Sequence, residues 1–306
     1  MGSKGTTLPV KTREVQNHHQ DSTAWNDFTF RPDDVVVATW GKCGTTWTQQ
    51  IVGQLLHGGD AALCPAELSP WFEMRIIPRE ALYGMLEAQQ SRRFMKTHLP
   101  ADAMKWDPNV KYIFVARDGR DTVWSMHHHM SVATPTFWEL INDTPGRVGP
   151  PLAKPPKDPR DLLMDLLEDD TKKNIPWPYW EHIRSWWAVR DQPNVMLVHF
   201  NDLKKDLEGE MRRIADFLGV NDLSNEKWND AVKHCSFDWM KEHAEQFAPP
   251  QSDVAFEGGA KSFINKGSNG RWKDSLSEED NAKYLAKTLQ ELGPECAEWI
   301  EKGRLA

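Results

Sequence analysis

Cysteine, long apolar runs and positive charge are all scarce in this sequence, and each shortage excludes a class of protein. The four cysteines are far apart and form no Cys-x-x-Cys pair, which argues against a disulfide framework or a zinc cluster and favours a reducing, cytoplasmic compartment. No stretch reaches the roughly 18 apolar residues that a membrane span needs, and residues 1–22 lack the apolar core of a secretory signal. Lysine and arginine number 37 against 45 aspartates and glutamates, so nucleic-acid binding is not expected, although a small anionic ligand stays possible.

Three apolar segments indicate how this chain of 306 residues builds its core. The runs at 35–39, 112–116 and 195–200 each pass through a short polar loop into apolar residues at helical spacing, with Asp118 and Gly219 placed as a helix cap and a helix stop. Continuous rather than alternating apolar strands are typical of strands covered on both faces. We therefore expect an α/β fold in which a central, mostly parallel sheet is flanked by helices.

We expect one domain over residues 27–306, because no shift in composition marks a boundary within it. The polar residues 1–26 are expected to form a flexible N-terminal tail in which His18 and His19 are solvated. The segment 144–160 is rich in proline and too broken for a helix or a strand, which favours a lid or an excursion loop.

Two glycines, a lysine and two threonines follow the first apolar run, in the sequence Gly41-Lys42-Cys43-Gly44-Thr45-Thr46-Trp47. At a strand-to-helix turn, free N–H groups and the positive end of the helix favour a bound anion, so this loop is a candidate phosphate site. The loop of nucleotide triphosphatases has its lysine directly after the second glycine, whereas here the lysine precedes that glycine, so a standard triphosphate site is not expected. The alternative is an ordinary glycine turn with a solvated lysine, and Cys43 is interpreted as a small loop residue rather than an activated thiol.

Three further segments carry groups that can bind or deprotonate a ligand. Lys96 and His98 lie two residues apart and share one side of a strand, which places a cation beside a candidate base. Arg117 and Ser125 flank the second strand-to-helix turn, where a guanidinium and a hydroxyl can share a phosphate. Residues 263–273 form a basic, glycine-rich loop of a type that wraps anions. For each segment, the alternative is a set of packed or solvated residues without a ligand.

In this order the four segments resemble those of the cytosolic-type sulfotransferases, and the resemblance, to a bacterial-like member, extends from Arg31 to about Leu276. Members of that family transfer a sulfuryl group from 3′-phosphoadenylyl sulfate (PAPS) to a hydroxyl or an amine and leave adenosine 3′,5′-bisphosphate (PAP). The resemblance implies a P-loop-like sulfotransferase fold over residues 27–306. It also implies a PAPS-dependent enzyme that acts by in-line displacement on a small-molecule acceptor, which the aromatic and uncharged segments 70–72 and 137–138 suggest is aromatic or apolar.

The resemblance gives each matching residue a role. His98 is the base, Lys42 meets the bridging oxygen of the donor, and Lys96 meets the sulfuryl oxygens. Ser125 binds the 3′-phosphate and also holds Lys42 aside until the acceptor arrives. The other residues implied at the nucleotide are Gly44, Thr45 and Thr46 at the 5′-phosphosulfate, Trp47 and Phe237 at the adenine, and Arg117, Lys266 and Gly267 at the 3′-phosphate and its loop.

Five positions of the implied nucleotide site depart from the family's pattern. Gly41 and Cys43 replace a proline and a serine, Phe200 replaces a tyrosine, Cys235 replaces a threonine, and Asn265 replaces an arginine beside Lys266. The change at Asn265 removes a charge from the 3′-phosphate site, so we expect this chain to rely more heavily on the remaining ligands. The family's dimer motif would begin at Lys273 and is not matched, so the oligomeric state stays open.

Two other functions remain open from the sequence: a P-loop nucleotide kinase-like phosphotransferase, and a non-catalytic module that binds an adenosine bisphosphate. The position of Lys42 speaks against the first, and the presence of His98 speaks against the second, because binding alone needs no base. No metal is expected. The consecutive residues His127, His128 and His129 point about 100° apart on a helix and cannot converge on one ion.

Overall fold

Within the residues that the computed structural model describes, 7–249 and 251–304, four parallel strands form one sheet. They are β1 (Val35–Thr39), β2 (Phe94–Thr97), β3 (Lys111–Ala116) and β4 (Val195–His199), in the order β2-β1-β3-β4. The three predicted strands and their parallel arrangement are thereby confirmed. The fourth strand, β2, is the apolar segment that leads into Lys96 and His98.

Helices cover both faces of the sheet. The α-helices are α1 (Thr45–Leu56), α2 (Pro65–Leu68), α3 (Arg79–Ala88), α4 (Gly119–Ser131), α5 (Pro135–Asn142), α6 (Pro159–Glu168), α7 (Tyr179–Ala188), α8 (Phe200–Lys205), α9 (Leu207–Leu218), α10 (Asn225–His234), α11 (Phe237–Glu242), α12 (Ala244–Phe247), α13 (Ser252–Ala255), α14 (Gly259–Phe263) and α15 (Glu278–Lys302), and 3₁₀ helices lie at Ser22–Trp25, Ala101–Ala103 and Arg271–Asp274. In the described ranges, no helix has both the length and the apolar character needed to span a bilayer.

The surroundings of β1 explain why its apolar run is continuous. Val35 and Val37 pack into a core with α1, α9 and α10, whereas Val36 and Ala38 pack into a second core with α4, α6, α7 and α15. All four side chains are fully buried. A strand covered on both sides leaves no position for a solvated residue, as the sequence predicts.

The predicted helix cap and helix stop are confirmed. Asp118 precedes α4 and accepts a hydrogen bond from the Arg120 N–H at 2.8 Å. Gly219 ends α9 with a φ of 71°, a left-handed conformation that glycine adopts without steric cost. The cap fixes the point at which β3 passes into α4, directly after Arg117.

The strand order creates one crevice at the carboxyl ends of β1 and β3. After β1 the chain continues to β2, which pairs with one edge of β1, and it then crosses over to β3, which pairs with the other edge. The connections that follow β1 and β3 therefore leave these neighbouring strands in opposite directions. Open α/β sheets bind ligands at such a point. The loop 40–44 and Arg117 lie there, and Lys96 and His98 arrive from the adjacent β2.

The N-terminal segment differs from the predicted tail. His18 and His19 are 6% and 3% exposed, and Trp25 is fully buried, so the expectation that these histidines are solvated is wrong. The main chain explains the difference, since the Asp21 N–H donates to the Glu73 carbonyl at 2.8 Å and ties the segment to the body of the protein. Residues 15–25 therefore pack against the body of the protein, and residues 1–6 of the predicted tail lie outside the described residues.

Candidate active site

The loop between β1 and α1 is held in a conformation that few residues adopt. Lys42 has a φ of 66° and Gly44 a φ of 108°, both in the left-handed region. A Cβ atom on Gly44 would lie 2.9 Å from Cδ2 of Phe200, so glycine is required for space as well as for φ. Helix α1 starts at Thr45, directly after this turn, and Thr46 is half-buried beside it. The first N–H groups of α1 therefore open at the loop, as the predicted anion site requires.

Thr39, Thr45 and Cys43 form the buried floor of this loop. The hydroxyl oxygens of Thr39 and Thr45 are 2.7 Å apart. Cys43 is fully buried with its Sγ 3.5 Å from the Thr122 hydroxyl, and burial raises the pKa of the thiol to about 11. The thiol is therefore protonated at neutral pH, as expected for a packed loop residue.

His98 is fixed by hydrogen bonds that leave one ring nitrogen free. Its Nδ1 lies 2.7 Å from the carbonyl oxygen of Thr39 and 3.1 Å from the Thr39 hydroxyl. A carbonyl oxygen only accepts, so Nδ1 carries the ring proton and donates it, and Nε2 presents a lone pair. Nε2 has no hydrogen-bond partner among the described residues. The ring is therefore set to accept a proton at Nε2.

Aromatic rings and burial keep His98 neutral. Trp71 meets the imidazole edge-on with ring centroids 4.7 Å apart, and Trp177 lies at 5.2 Å. Burial, followed by the positive charge of Lys96, lowers the pKa of His98 well below its usual range. At neutral pH the imidazole is therefore already deprotonated.

Glu73 is a buried carboxylate that holds the segment around His98. Its Oε1 accepts hydrogen bonds from the backbone N–H of His98 at 2.7 Å and from the Trp71 Nε1 at 2.5 Å, and its Oε2 accepts from the Trp25 Nε1 at 3.4 Å. Burial raises the pKa of Glu73, while its negative charge raises the pKa of Lys96. One side chain thus positions the base, the ring packed on that base and a neighbouring cation.

Lys42 and Lys96 place two cations near His98. The Lys42 Nζ lies 4.7 Å from the centroid of the Phe263 ring, and the Lys96 Nζ lies 5.0 Å from the centroid of the Trp71 ring. Burial lowers the pKa of each lysine to about 8, and the charge of Lys96 adds to the lowering at Lys42. Poorly solvated cations of this kind are stabilised by a bound anion.

Arg117 joins the loop after β1 to the C-terminal loop. Its guanidinium donates from Nε and Nη2 to Oδ1 of Asn269 at 3.1 and 2.7 Å, from Nη2 to the Ser268 carbonyl at 3.0 Å, and from Nη1 to the Lys42 carbonyl at 3.3 Å. The Phe200 ring packs under the guanidinium with its centroid 4.3 Å from Cζ. Phe200 therefore orients Arg117 although it has no hydroxyl to offer a ligand.

Trp47 and Phe237 lie next to Phe200 and to the C-terminal loop, respectively. The Trp47 Nε1 donates to the Cys235 carbonyl at 2.8 Å, and the Trp47 ring meets Phe200 edge-on at 5.3 Å. Phe237 is 39% exposed and its ring contacts Gly267, whose φ of 58° suits glycine. An exposed aromatic ring beside this loop is available to stack on a flat ligand.

Two further predicted phosphate ligands, Ser125 and Lys266, make no side-chain contact with Arg117 among the described residues. Ser125 is half-buried on α4, and its hydroxyl makes no hydrogen bond among the described residues. Lys266 is exposed on the C-terminal loop, and the carbonyl of its neighbour Asn265 accepts a hydrogen bond from the Lys241 Nζ at 3.1 Å. The loop is therefore held by its main chain and by Asn269, while the Lys266 side chain stays accessible.

The comparison with known families decides what this site belongs to. The family model described as sulfotransferase domain matches residues 32–293 of the chain. The chain belongs to the sulfotransferase family. The fold expected from the resemblance is confirmed by this match and by the structures that are similar to it.

Relatives of this sulfotransferase cover nearly its whole length. A glycolipid sulfotransferase of Mycobacterium bovis (strain BCG / Pasteur 1173P2) is 28% identical over an alignment of 305 positions that covers 93% of this chain and 92% of that protein. Sulfotransferase 1B1 of Canis lupus familiaris is 29% identical over an alignment of 266 positions that covers 84% of this chain and 82% of that protein. A crystal structure of retinol dehydratase in a complex with retinol and PAP has a TM-score of 0.67 and 26% identity, and the match covers 88% of this chain and 84% of that one.

Several residues that shape the site of this sulfotransferase are not marked by any motif in its sequence. Glu73 follows the apolar segment 70–72, which on its own indicates only packing. Lys204 would be assigned to a solvated face, yet its Nζ donates to the Gly267 carbonyl at 2.7 Å and so holds the C-terminal loop. Asn269 belongs to the predicted loop, but its contact with Arg117 joins positions 152 residues apart.

Two apolar regions lie next to the charged and basic side chains of the site, one beside His98 and one beside Lys42. A cavity of about 290 Å³ reaches His98, and its lining includes Pro100, Trp177 and residues 148–151. Residues 144–158 of the proline-rich segment lie between α5 and α6 without helix or strand, whereas its last two residues begin α6, and residues 148–151 border the site. On the side of Lys42, His129 packs against Phe256 and Phe263 with ring centroids 4.7 and 5.9 Å away.

Proposed function

We propose that this sulfotransferase transfers the sulfuryl group of PAPS to a hydroxyl, or an amine, of a small acceptor with a substantial apolar part, with His98 as the base. The observation that carries the proposal is the hydrogen bond from His98 Nδ1 to the Thr39 carbonyl, because it leaves the Nε2 lone pair as a proton acceptor beside Lys42 and Lys96. The PAP-bound retinol dehydratase supports the choice of donor.

The chemistry of the site suits a donor with phosphate groups at both ends. Lys42, Lys96 and the start of α1 offer positive charge at one end, and Arg117 offers a guanidinium at the other. The rings of Trp47 and Phe237 border the same loops and offer surfaces on which a flat base would stack. The donor supplies an activated sulfuryl group on a phosphate leaving group.

His98 acts as the general base in this proposal. A hydroxyl that attacks sulfur must lose its proton, and Nε2 of His98 receives it. The low pKa of the buried ring keeps Nε2 free before the reaction. The negative charge of a bound donor raises that pKa, so the ring becomes a better proton acceptor once the site is filled.

Lys42 and Lys96 stabilise the negative charge that develops as the bond to the leaving phosphate breaks. Their pKa values of about 8 leave both predominantly protonated at pH 7, and a bound anion favours the charged form further. Their ammonium groups are only partly hydrated in this site, so their attraction to the developing charge is stronger than it would be in water.

The acceptor is proposed from the site and from the relatives together. The cavity beside His98 is bordered by Pro100 and Trp177, and aromatic rings surround His129, so the apolar part of an acceptor has surfaces to pack on. The similar proteins include a glycolipid sulfotransferase and a retinol-bound enzyme, both named for molecules with large apolar parts.

A turnover assay with PAPS labelled at sulfur tests the proposal. The wild-type protein is given the donor with one acceptor of each class in turn: a phenol, a long-chain alcohol, a glycolipid, an amine and a free sugar. We expect label transfer to one or more of the first three and little transfer to the free sugar. Transfer of phosphate from ATP with magnesium, without any transfer from PAPS, would support a kinase instead, and PAP binding without turnover of any acceptor would support a non-catalytic module.

A further inference from the structure

Arg271 is a cation at the edge of the site whose buried Nε has no hydrogen-bond acceptor in the described part of the chain. It begins the 3₁₀ helix Arg271–Asp274, and among the described residues its guanidinium donates no hydrogen bond and forms no ion pair. Its Nε is completely buried, and burial lowers the pKa of the guanidinium. A buried donor without an acceptor is costly, and an anion bound at this place would satisfy it.

The neighbours of Arg271 in the chain fix its position. Asn269 binds the Arg117 guanidinium at 2.7 Å, and the Gly270 N–H donates to the Asp121 carboxylate at 2.7 Å. On the other side, the Trp272 ring packs 4.0 Å from the Arg120 guanidinium. Arg271 is thus confined between Arg117 and the surface of α4.

The charges around Arg271 identify which face of α4 it covers. Burial is the main cause of the lowered pKa values of Arg117, His128 and Arg271; the positive charge of Arg271 adds to the lowering at Arg117 and His128, and the charge of Asp121 opposes the lowering at Arg271. Asp121 and His128 lie on the same face of α4 as Ser125, since they are four residues before it and three after it. Arg271 therefore neighbours both Arg117 and the helix face that carries Ser125.

We propose that Arg271 is a direct ligand of the donor's 3′-phosphate and supplies the positive charge that Asn265 lacks. The proposal rests on the proposed use of PAPS. Two guanidinium groups, from Arg117 and Arg271, present two planar sets of donors to a phosphate, which can accept several hydrogen bonds at once. A nucleotide without the 3′-phosphate cannot engage them, so Arg271 determines specificity for 3′-phosphorylated nucleotides.

Calorimetric titration with PAP and with 5′-AMP tests this role without requiring an acceptor. We expect Arg271→Ala to weaken PAP by about tenfold or more, the scale of one charge-assisted hydrogen bond, and to change 5′-AMP by less than about threefold. Adding Asn265→Arg to Arg271→Ala should restore about fivefold or more of the lost PAP affinity. Arg212→Ala, which removes a guanidinium paired with Glu208 on the surface of α9, is the matched control and should change neither titration.

Titration with both nucleotides distinguishes a failure of the Arg271 assignment from a failure of the proposed donor. Equal losses for PAP and 5′-AMP in Arg271→Ala would make the effect structural and overturn the assignment, and so would an unchanged PAP affinity. Wild-type protein that binds PAP no more tightly than 5′-AMP would overturn the proposed donor itself. A preference for PAP that is as large in Arg271→Ala as in the wild type would leave the donor in place and remove only Arg271.

Discussion

The Nδ1 of His98 and the carbonyl oxygen of Thr39 lie 2.7 Å apart, and this contact sets the tautomer of the imidazole. Thr39 is the last residue of β1, and His98 follows β2 directly. The two strands are neighbours in the sheet, so the orientation of the proposed base is determined by strand pairing rather than by a flexible loop.

Replacing the proposed base tests its role in turnover. We expect His98→Ala to lower kcat by at least ~10²-fold, the usual scale for a general base, with PAP affinity within a few-fold of wild type. His127→Ala serves as the control, because His127 bonds to the Pro156 carbonyl at 2.8 Å and has no role in the proposed chemistry. Near-normal turnover of the His98 variant at neutral pH would refute the assignment.

Removing the charge of Lys42 should damage both binding and chemistry. Lys42→Met keeps most of the length of the side chain and its contact with Phe263 but removes the ammonium. We expect a large loss in kcat/KM for the donor, of the order of 10²-fold, because the charge acts more strongly in the transition state than on the bound donor. Wild-type kcat/KM in this variant would show that the charge has no such role.

Arg117 should distinguish nucleotides with and without a 3′-phosphate. We expect Arg117→Ala to weaken PAP by about tenfold or more and 5′-AMP much less, because only PAP carries the group that this guanidinium binds. Calorimetry on both nucleotides measures the ratio directly. Comparable losses for the two would place the 3′-phosphate elsewhere.

Asn265→Arg in the otherwise unchanged chain should tighten PAP by about tenfold with little change for 5′-AMP.

The charge of Glu73 should appear in the pH dependence of kcat/KM. The proposed mechanism requires protonated Lys42 and Lys96, whose pKa values of about 8 predict that kcat/KM falls as the pH rises through that value. Glu73→Gln removes the charge that raises the pKa of Lys96, so this alkaline limb should move to lower pH. Glutamine still offers an oxygen to the His98 N–H, so the fold should be retained.

A control separates this shift from a general loss of activity. Glu226→Gln removes an exposed carboxylate on α10 and should leave the pH profile unchanged. A Glu73 variant that lost activity uniformly across the pH range, with no displacement of the alkaline limb, would show that the carboxylate acts only through packing.

The sheet and the loops at its carboxyl edge could be predicted because their signals are local. Val35–Thr39 is a continuous apolar run, and the glycines at 41 and 44 follow within a few residues. Lys42 and Arg117 then come together as a consequence of parallel pairing between β1 and β3. Local sequence patterns at the ends of the strands thus locate the candidate site before any contact between distant residues is known.

The contacts that refine the site could not be predicted in the same way. Glu73 bonds to the N–H of His98, 25 residues further along, and Trp25 reaches Glu73 from 48 residues before it. No spacing rule relates such positions, because their proximity depends on how whole segments pack. The burial of His18 and His19 has the same origin, since a polar N-terminal sequence does not reveal the surface against which it lies.

The packed N-terminal segment limits the access of solvent to the proposed base. His19 lies 4.9 Å from Trp71 by ring centroids, and Trp71 in turn covers His98, so residues 15–25 screen the proposed base from bulk solvent. Water at 55 M competes with any acceptor for an activated sulfuryl group, and a base open to solvent would promote that competing reaction. We therefore expect removal of this segment to increase hydrolysis of the donor at the expense of sulfuryl transfer to the acceptor, without a loss of donor binding.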